Sequence, residues 1–455
     1  MRLAAALAAA AALGSGALAD EMPPPGTLEG RPAPAEASSL QAAVDATPTG
    51  GVLEVGPGEY PGDLVLDRPI RLRGRGRPKL LGSGAGSVVR IRAAGVRVEG
   101  FDLDGRGGGD LGRDSSGVHV AAAGATVRDC RIEGTLFGIY LREADGAAIS
   151  GTSIRGIPGK DPGEKGSGIH VWNTKGFRLA GNTITDVRDG FYIQSSSGGT
   201  IQGNVVRDIR YGIHYMFSDD NLFEDNTFEN GAAGAALMYS RRMTFRRNRF
   251  LRNRGFASVG LLFKACDDVI AEDNLLADNA RGIFLEGSYR NVLRRNVVAG
   301  SDVAIVLYDS CGGNRIAGNA FLGNMTPLTL VGLRTDTVFD GNYWSDNDEP
   351  DLDGDGRSDR PHRLSQVFDH VRGNVAAADL LTDSIGAAAL GVAERTLPVL
   401  QAVQAEDRAP LVRPPLLPAV PRPAPRDRRP LAGGLLLAAA SLAAGSATLL
   451  RGRRR

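Results

Sequence analysis

The fold of this protein is encoded in a stretch that recurs along the chain, Tyr211-Gly-Ile-His-Tyr-Met-Phe-Ser-Asp-Asp-Asn-Leu-Phe-Glu-Asp-Asn226. Its first part, residues 212–218, has the alternating character of a β-strand, in which successive side chains point to opposite faces. Its second part, residues 221–226, is a polar turn that contains single apolar residues. His214 and Met216 lie on one face of the strand part, and the surroundings of that face decide what the stretch can bind.

An asparagine series marks the copies of this repeat. The asparagines fall at intervals of 22 to 26 residues and are Asn182, Asn204, Asn226, Asn248, Asn274, Asn296, Asn319 and Asn342. A second series runs beside them and consists of Gly117, Gly138, Gly168, Gly190, Gly212, Gly234, Gly260 and Gly282. A period near 22 residues with strand-like alternation is typical of a solenoid and excludes helical repeats. We therefore predict an all-β fold, a right-handed parallel β-helix over residues 38–345, in which the asparagine amides stack as a ladder.

The sequence also indicates how the first end of this β-helix is closed and where its coils are interrupted. Ser38-Ser39-Leu40-Gln41 has the form of a capping box and predicts a short helix that covers the open strand edges of the first coil. The interval from Gly138 to Gly168 is longer than its neighbours, so residues 158–165 are predicted to form an extra loop. Residues 254–257 are predicted to bulge outward for the same reason.

The two ends of the chain carry targeting signals. Residues 1–19 combine a positive charge, an apolar run and a small-residue cleavage site, which is typical of a signal peptide; a short buried helix is the alternative. Residues 431–450 form an uncharged run of a length suited to a transmembrane helix, with an Ala-rich tail helix as the alternative. The basic residues 451–455 would stay in the cytoplasm. We therefore expect a protein of the periplasm that is anchored to the inner membrane by a C-terminal helix.

The segments that flank the β-helix differ from it in composition. Residues 20–37 are rich in Pro and Ala and are predicted to be disordered. Residues 346–395 are interpreted as an acidic Asp/Gly loop followed by a helical tail, and residues 396–430 as a Pro-rich linker to the membrane. A net charge of +1 gives no reason to expect a nucleic acid partner. Three dispersed cysteines are too few for a disulfide framework or a zinc site.

Alternation after the marker glycines sorts the strand side chains into two faces. Residues one and three positions after each glycine are apolar and are predicted to face the core, so residues two and four positions after it are predicted to face solvent. The first outward column consists of His119, Tyr140, His170, Tyr192, His214, Ala236, Leu262 and Phe284. The second outward column consists of Ala121, Arg142, Trp172, Gln194, Met216, Met238, Lys264 and Glu286.

Two methionines and two histidines in these columns suggest a metal site. Met216 and Met238 occupy neighbouring coils, and His214 flanks Met216. Imidazole and thioether ligands together suit a soft cation, above all Cu(I). His170 lies two coils from His214, roughly 10 Å away at the spacing of parallel strands, which is too far for one mononuclear site. The copper-binding candidates are His170, His214, Met216 and Met238.

Two other readings of the same face remain open. Exposed aromatic and aliphatic side chains are typical of a protein-docking surface, for which the candidates are Trp172, Tyr192, Leu262 and Phe284. Aromatic residues are also common on ordinary sheet faces without any function. Docking and metal binding are compatible with each other.

Catalytic chemistry is less well supported by the sequence. Many parallel β-helices act on polysaccharides, but the outward columns contain no carboxylates paired as glycosidic chemistry requires, and no Ser/His/Asp set. We therefore do not expect an enzyme; a polysaccharide-active or polysaccharide-binding β-helix, such as an epimerase or lyase, is the alternative.

An acidic loop after the predicted β-helix resembles the start of a calcium-binding loop. Asp351, Asp353, Asp355 and Asp359 occupy positions 1, 3, 5 and 9 of the pattern, and Gly356 occupies position 6. His362 stands at position 12, where the pattern has a bidentate Glu. The sequence fits a structural Ca²⁺ site and a plain Asp/Gly turn equally well.

Several of these segments together resemble a known family. They are His170-Val-Trp172, Tyr211-Gly-Ile-His-Tyr-Met-Phe-Ser-Asp-Asp-Asn221, Ala236-Leu-Met-Tyr-Ser240, Asn342-Tyr-Trp-Ser-Asp346 and Asp351-Leu-Asp-Gly-Asp-Gly356. In this order and spacing they are similar to the NosD family of nitrous oxide reductase maturation proteins, over about residues 38–375. The β-helix pattern itself is shared with many carbohydrate-active proteins, whereas the His-Tyr-Met and Leu-Met-Tyr-Ser coils are more specific.

The resemblance implies a periplasmic accessory protein without catalytic activity. Its partners would be the permease and ATPase subunits of an ABC transporter, a copper chaperone lipoprotein, and nitrous oxide reductase, whose copper centre the system completes. On this view the rod is a docking scaffold and a Cu(I) relay. The predicted C-terminal membrane helix departs from a purely soluble periplasmic subunit and implies that this member tethers itself.

Overall fold

The computed structural model describes residues 39–108, 115–255, 257–332, 334–364 and 405–415, together with the single helical positions Gly386 and Ala389. The predicted signal peptide (1–19), the segment expected to be disordered (20–37), the transmembrane run (431–450) and the basic tail (451–455) lie outside the described residues. So does most of the predicted helical tail. Within the described part of the chain, no helix is long and apolar enough to cross a membrane.

The strands stack in three columns of parallel β-structure. A 15-stranded sheet forms the first column, and it consists of β1 (Val52–Val55), β4 (Arg71–Gly74), β7 (Arg97–Glu99), β10 (Thr126–Arg128), β13 (Ala148–Ser150), β16 (Arg178–Ala180), β19 (Thr200–Gln202), β21 (Leu222–Glu224), β23 (Thr244–Arg246), β26 (Ile270–Glu272), β29 (Val292–Arg294), β32 (Arg315–Ala317), β35 (Val338–Asp340), β38 (Glu406–Asp407) and β37 (His362–Arg363). The second and third columns share one 23-stranded sheet.

Two long strands join the second and third columns, namely β20 (Val205–Met216) and β22 (Thr227–Arg241). The remaining strands of the second column are β2 (Glu59–Pro61), β5 (Lys79–Leu81), β8 (Asp102–Asp104), β11 (Arg131–Glu133), β14 (Ser153–Arg155), β17 (Thr183–Thr185), β24 (Arg249–Leu251), β27 (Leu275–Ala277), β30 (Val297–Ala299), β33 (Ala320–Leu322) and β36 (Tyr343–Trp344). Those of the third column are β3 (Leu64–Leu66), β6 (Val89–Ile91), β9 (Ser116–Val120), β12 (Phe137–Arg142), β15 (Ser167–Trp172), β18 (Asp189–Gln194), β25 (Val259–Asp267), β28 (Arg281–Glu286), β31 (Val303–Tyr308) and β34 (Thr326–Val331).

The described residues therefore form an all-β parallel solenoid of the right-handed type, with about 13 coils of roughly 22 residues, as the sequence predicts. The insertion expected at residues 158–165 lies between β14 and β15 and contains a 3₁₀ turn at Pro162–Glu164. Apolar side chains from all three columns fill the interior in one continuous core cluster. Phe223 and Phe245 stack in it with ring centroids 4.5 Å apart, because equivalent positions of successive coils lie directly above one another.

The predicted asparagine ladder is present. The Nδ2 group of Asn204 donates to Oδ1 of Asn226 at 2.8 Å, and Asn226 donates in the same way to Asn248 at 2.9 Å. Each Nδ2 also donates to a main-chain carbonyl of the preceding coil, as Asn204 does to Leu179 at 3.0 Å. These bonds satisfy amide groups that are fully buried, which an interior position requires.

A helix closes the first end of the rod. Helix α1 (Ser39–Ala46) buries Leu40 and Val44 in the core cluster. The side-chain amide of Gln41 donates to the carbonyl of Val65 at 3.2 Å and accepts from its N–H at 2.9 Å. Gln41 thereby takes the place of a neighbouring strand at the exposed edge of β3, which would otherwise be free to pair with another chain.

Asp407 closes the other end. Its carboxylate accepts hydrogen bonds from the N–H of Gly341, from N–H and Nδ2 of Asn342 and from Nε1 of Trp344, all between 2.8 and 3.0 Å. The Asp therefore completes the ladder in place of a next asparagine. The sequence assigned this segment to an extended Pro-rich linker, whereas residues 405–412 fold against the rod end and pair with β35 and β37.

Candidate metal centre beside the third strand column

The third column carries the two faces that the glycine series predicts. Tyr140, His170, Tyr192 and His214 are paired in register on β12, β15, β18 and β20. Their neighbours in sequence, such as Ile213 and Tyr215, belong to the interior core cluster. The outward residues fall instead into separate small clusters, so they form a distinct second face.

This second face is buried, and the prediction of a solvent-exposed column is wrong. The four copper-binding candidates have exposed fractions of 7 % or less, with His214 and Met238 at 1 % each. Alternation fixes which side of the sheet a side chain lies on, but it does not fix whether that side meets water. The column is a packed layer outside the sheet.

Aromatic rings of four successive coils stack on one another in this layer, and a fifth ring meets the last of them edge-on. The ring centroids of His119 and Tyr140 lie 5.3 Å apart, those of Tyr140 and His170 4.3 Å, and those of His170 and Tyr192 4.5 Å, all near parallel. Tyr192 then meets the edge of His214 at 4.8 Å and 81°. Such contacts stabilise the column beyond the burial of its apolar area.

Burial keeps two imidazoles of the stack neutral. Desolvation lowers the pKa of His119 to about 4, with a further contribution from the positive charges of Arg90 and Arg142. Desolvation likewise lowers the pKa of His170 to about 3. Nε2 of His119 and Nδ1 of His170 are buried without a hydrogen-bond partner.

His214 is held by a carboxylate. Nδ1 of His214 lies 3.3 Å from Oδ2 of Asp189, whose side chain is fully buried. Arg210 donates to both oxygens of Asp189, from Nε at 3.0 Å and from the terminal nitrogen at 2.8 Å. Burial alone would raise the pKa of Asp189, but hydrogen bonds from His214 and Arg210 outweigh burial and lower it. Nε2 of His214 is buried and has no partner.

The two methionines lie on the same face of the sheet as this imidazole. Met216 is two residues beyond His214 on β20, and it pairs in register with Met238 on β22. Met216, Met238 and Tyr192 form one buried apolar cluster, and Tyr192 also contacts His214. His170 lies on the opposite side of the Tyr192 ring. The register thus places His214, Met216 and Met238 on one face of β20 and β22, with Tyr192 in contact with His214 and with the methionines, whereas His170 lies on an earlier coil. Copper binding by these residues stays a prediction.

The docking candidates do not form an open surface. Tyr192 and Leu262 are buried at 2 % and 5 % exposure, which corrects the expectation that they face solvent. Trp172 and Phe284 are half-buried, and Trp172 lies beneath the guanidinium of Arg142 at 5.3 Å. The second column is likewise half-buried or buried from Arg142 to Glu286.

An exposed aromatic pair lies directly after the two methionines. Phe217 and Tyr239 are 56 % and 45 % exposed, and their rings stack in parallel at 5.2 Å. Both have positive φ, near 50°, which is costly for bulky side chains. The equivalent positions of the flanking coils carry the small residues Ser195 and Ala265. A shallow hollow of about 360 Å³ adjoins the pair.

The acidic loop gathers three of its four predicted ligands. Carboxylate oxygens of Asp351, Asp353 and Asp359 lie within 4.8 Å of one another, whereas Asp355 is outside this group. Asp351 accepts hydrogen bonds from the N–H groups of Gly354 and Gly356 at 2.7 and 3.0 Å. These bonds stabilise the loop as a turn, and calcium binding stays a prediction.

The cysteines are protonated in the metal-free protein. All three are buried free thiols. Burial raises the pKa of Cys130 to about 11 and that of Cys266 to about 12, so both are protonated at neutral pH.

Two charged residues of the site were missed by sequence reasoning. Asp189 has no role in the sequence patterns described above, but it begins β18 and is fully buried. Arg210 sits within β20, one coil away. A sequence signal does exist. Asp189 directly precedes a marker glycine, and it is a charged residue at a position that the next two coils fill with the uncharged residues Tyr211 and Ala233.

Solved structures show the same fold. The chain is similar to the A-modules of the mannuronan C-5 epimerases AlgE6 and AlgE4 of Azotobacter vinelandii, each with a TM-score of 0.55. The identities are 15 % and 16 %, and the matches cover 66 % and 65 % of this chain and 93 % and 94 % of the modules. At such identity the likeness shows only the β-helix fold and gives no information about activity.

Closer relatives identify the family. The family model described as "Periplasmic copper-binding protein (NosD)" matches residues 146–349. A protein of Pseudomonas aeruginosa called "Probable ABC transporter binding protein NosD" is 37 % identical over 382 residues, covering 80 % of this chain and 89 % of the relative. A protein of the same description from Stutzerimonas stutzeri is 34 % identical over 376 residues, covering 78 % of this chain and 85 % of the relative. With this extent of similarity, the chain belongs to the NosD family of periplasmic copper-binding proteins.

Proposed function

We propose that this protein is a periplasmic accessory subunit that binds Cu(I) as cargo through His214, Met216 and Met238 and passes it on during assembly of the copper centre of nitrous oxide reductase. It acts with the permease and ATPase of an ABC transporter and with a copper chaperone lipoprotein. The family description and the names of the relatives support the coarser part of this role, a periplasmic accessory function linked to copper and to an ABC transporter.

One observation supports the site above all others, namely the unpartnered Nε2 atom of His214. A buried nitrogen without a hydrogen bond costs free energy, on the order of 1–3 kcal/mol for a typical buried polar group. β20 and β22 place the two methionines, Met216 and Met238, on the same face as this imidazole. One imidazole and two thioethers are soft, uncharged donors, which favour Cu(I) over Zn²⁺ or Ca²⁺. The residues therefore fit the proposed cargo.

Cu(I) titration of the full-length protein under anaerobic conditions, against a competing chelator, tests this site. Leucine at both methionine positions removes the thioethers and nearly preserves their volume, so the fold should persist. We expect the Met216→Leu/Met238→Leu variant to lose at least about tenfold in Cu(I) affinity, roughly 1.4 kcal/mol of binding free energy. Met243→Leu is the matched control, because Met243 is a fully buried thioether inside the core cluster. Equal affinity of the wild type and the double variant would contradict the methionine site.

The docking function is better supported at the exposed aromatic pair than at the buried column. Phe217 and Tyr239 follow Met216 and Met238 directly in sequence, so a protein bound there would lie beside the proposed cargo site. Exposed aromatic side chains commonly anchor protein partners. Trp172 and Phe284, which are half-buried, stay secondary candidates.

We expect a Phe217→Ser/Tyr239→Ser variant to bind Cu(I) as the wild type does and to bind purified nitrous oxide reductase more weakly, as measured by biolayer interferometry. Unchanged binding of the reductase would contradict docking at this pair.

A further inference from the structure

The carboxylate of Asp189 contacts both an arginine and Nδ1 of His214. It lies at the first position of β18, and Arg210, Tyr211 and His214 follow one coil later on β20. Arg210 engages both oxygens of Asp189, and its guanidinium also lies over the ring of Tyr211 at 4.4 Å. The carboxylate is therefore fixed on the side from which it meets Nδ1 of His214 at 3.3 Å.

An ionised carboxylate only accepts hydrogen bonds, so its contact with Nδ1 decides where the imidazole proton resides. With the proton on Nδ1, the lone pair of the neutral ring is on Nε2, the buried atom that has no partner. Two rings hold the imidazole in place at nearly perpendicular angles, Tyr192 at 4.8 Å and Tyr211 at 5.4 Å. These contacts favour one tautomer and one ring orientation of His214 in the metal-free protein.

We propose that Asp189, fixed by Arg210, is a positioning residue that holds His214 as the Nδ1–H tautomer and so keeps Nε2 available as the nitrogen donor to the cation bound by Met216 and Met238. The expected effect on Cu(I) binding rests on the proposed copper function, whereas the tautomer is a property of the metal-free protein. Ligand imidazoles in metalloproteins commonly have a carboxylate on the second nitrogen, and the loss of such a carboxylate typically weakens metal binding about 10- to 100-fold.

The decisive variant is Asp189→Asn. Asparagine has nearly the same shape, but its amide can donate a hydrogen bond to Nδ1, which favours the opposite tautomer and removes the lone pair from Nε2. We expect the nitrogen NMR shifts of His214 in the metal-free full-length protein to report Nδ1–H in the wild type and a substantial Nε2–H population in Asp189→Asn. We expect Cu(I) affinity to fall about 10- to 100-fold in the variant.

Asp219→Asn is the matched control, because Asp219 pairs with two arginines, Arg241 and Arg242, as Asp189 pairs with Arg188 and Arg210, but it is only half-buried in the loop after β20. It should leave both the tautomer and the affinity unchanged. If Asp189→Asn does not fold, Arg210→Gln removes the fixing contact and leaves the carboxylate, and it should then give a mixed tautomer and weaker Cu(I) binding.

The possible outcomes separate the two proposals. A wild-type His214 that already carries its proton on Nε2, or an unchanged Nδ1–H tautomer in Asp189→Asn, would overturn the positioning role whether or not copper binds. A tautomer change in Asp189→Asn, combined with equal Cu(I) affinity of the wild type and Met216→Leu/Met238→Leu, would support the positioning of the ring and refute the copper site.

Discussion

The stacked layer buries histidine ring nitrogens that have no hydrogen-bond partner, which is uncommon in protein interiors. His119, His170 and His214 each present a ring nitrogen without a hydrogen-bond partner, and tyrosine rings alternate with them. The stacking contacts offset part of the free energy that burial of these nitrogens costs. His119 lies furthest along the stack from the methionines, so its titration reports on the layer without involving the proposed copper donors.

At the residue scale, we predict that acid destabilises the protein through His119. Its pKa is about 4 in the folded protein against an ordinary value of 6.5, so the unfolded chain binds more protons between these values. Stability from this group is fully present above pH 6.5 and is lost as the pH falls toward 4, by about 2 kcal/mol between pH 7 and pH 5. His119→Phe keeps a stacked ring and removes the titration. The loss of unfolding free energy from pH 7 to pH 5 should be smaller in this variant by that amount, measured by urea denaturation; an identical pH dependence would contradict the prediction.

The sequence predicted which residues share this face but not its burial. The identities of His170, Tyr192 and His214 follow from period-two alternation, which the backbone of any strand imposes. Exposure depends on what packs against the sheet. The contact between Asp189 and His214 joins two neighbouring coils, and the position of Asp189 before a marker glycine singles it out without showing which side chain it meets. For that reason the copper candidates could be named from sequence, whereas the partner of Nδ1 could not.

Elements of this fold are held in register by the asparagine ladder. Asn226 accepts from N–H and Nδ2 of Asn204 and donates to Ile201 and Asn248, so one amide connects three coils. The spacing near 22 residues predicted this ladder because only side chains at the same place in each coil can bond in this way. The fusion of strands into β20 and β22 was not predicted, since alternating patterns do not define where a short strand ends.

At the element scale, Asn226→Ala should be strongly destabilising. The substitution leaves N–H and Nδ2 of Asn204 and the carbonyl of Ile201 with one partner fewer, all in a buried site. At about 1–3 kcal/mol for each buried group left unsatisfied, we expect a loss of about 3 kcal/mol or more in unfolding free energy. Gln202→Ala is the control, since this half-buried amide bonds outside the core to Glu224 and Arg178 and should cost less than about 1 kcal/mol. Equal losses in the two variants, by urea denaturation, would show that the ladder does not contribute as described.

The described residues form a stack with two different end closures. At one end, the side-chain amide of Gln41 both donates a hydrogen bond to the strand edge and accepts one from it. At the other end, the carboxylate of Asp407 only accepts hydrogen bonds. This difference follows from the ladder, in which each coil donates its Nδ2 groups toward the next one. The last coil therefore presents unsatisfied donors, which an acceptor alone can satisfy.

At the scale of the whole molecule, Asp407→Ala should loosen the last coils. It removes the acceptor for the N–H of Gly341, for two donors of Asn342 and for Nε1 of Trp344. We expect faster cleavage between Trp344 and Ala405 in limited proteolysis, and slower cleavage in Asp407→Asn than in Asp407→Ala because an amide keeps one oxygen. The control is Glu406→Gln, a half-buried neighbour on the same strand. A proteolysis rate of Asp407→Ala equal to that of the control would contradict the closure.

The parallel stacking of coils has a consequence for distances along the rod. Since each coil adds about 4.8 Å and pairs its strands only with those of the two adjacent coils, the separation between the coils of His214 and Met238 and either end of the stack changes only by whole coils. Duplication or deletion of a single 22-residue unit elsewhere would lengthen or shorten the molecule by one such step and leave the contact between Asp189 and His214 intact. The axial distance between any two groups on the stack is therefore set by the number of coils between them.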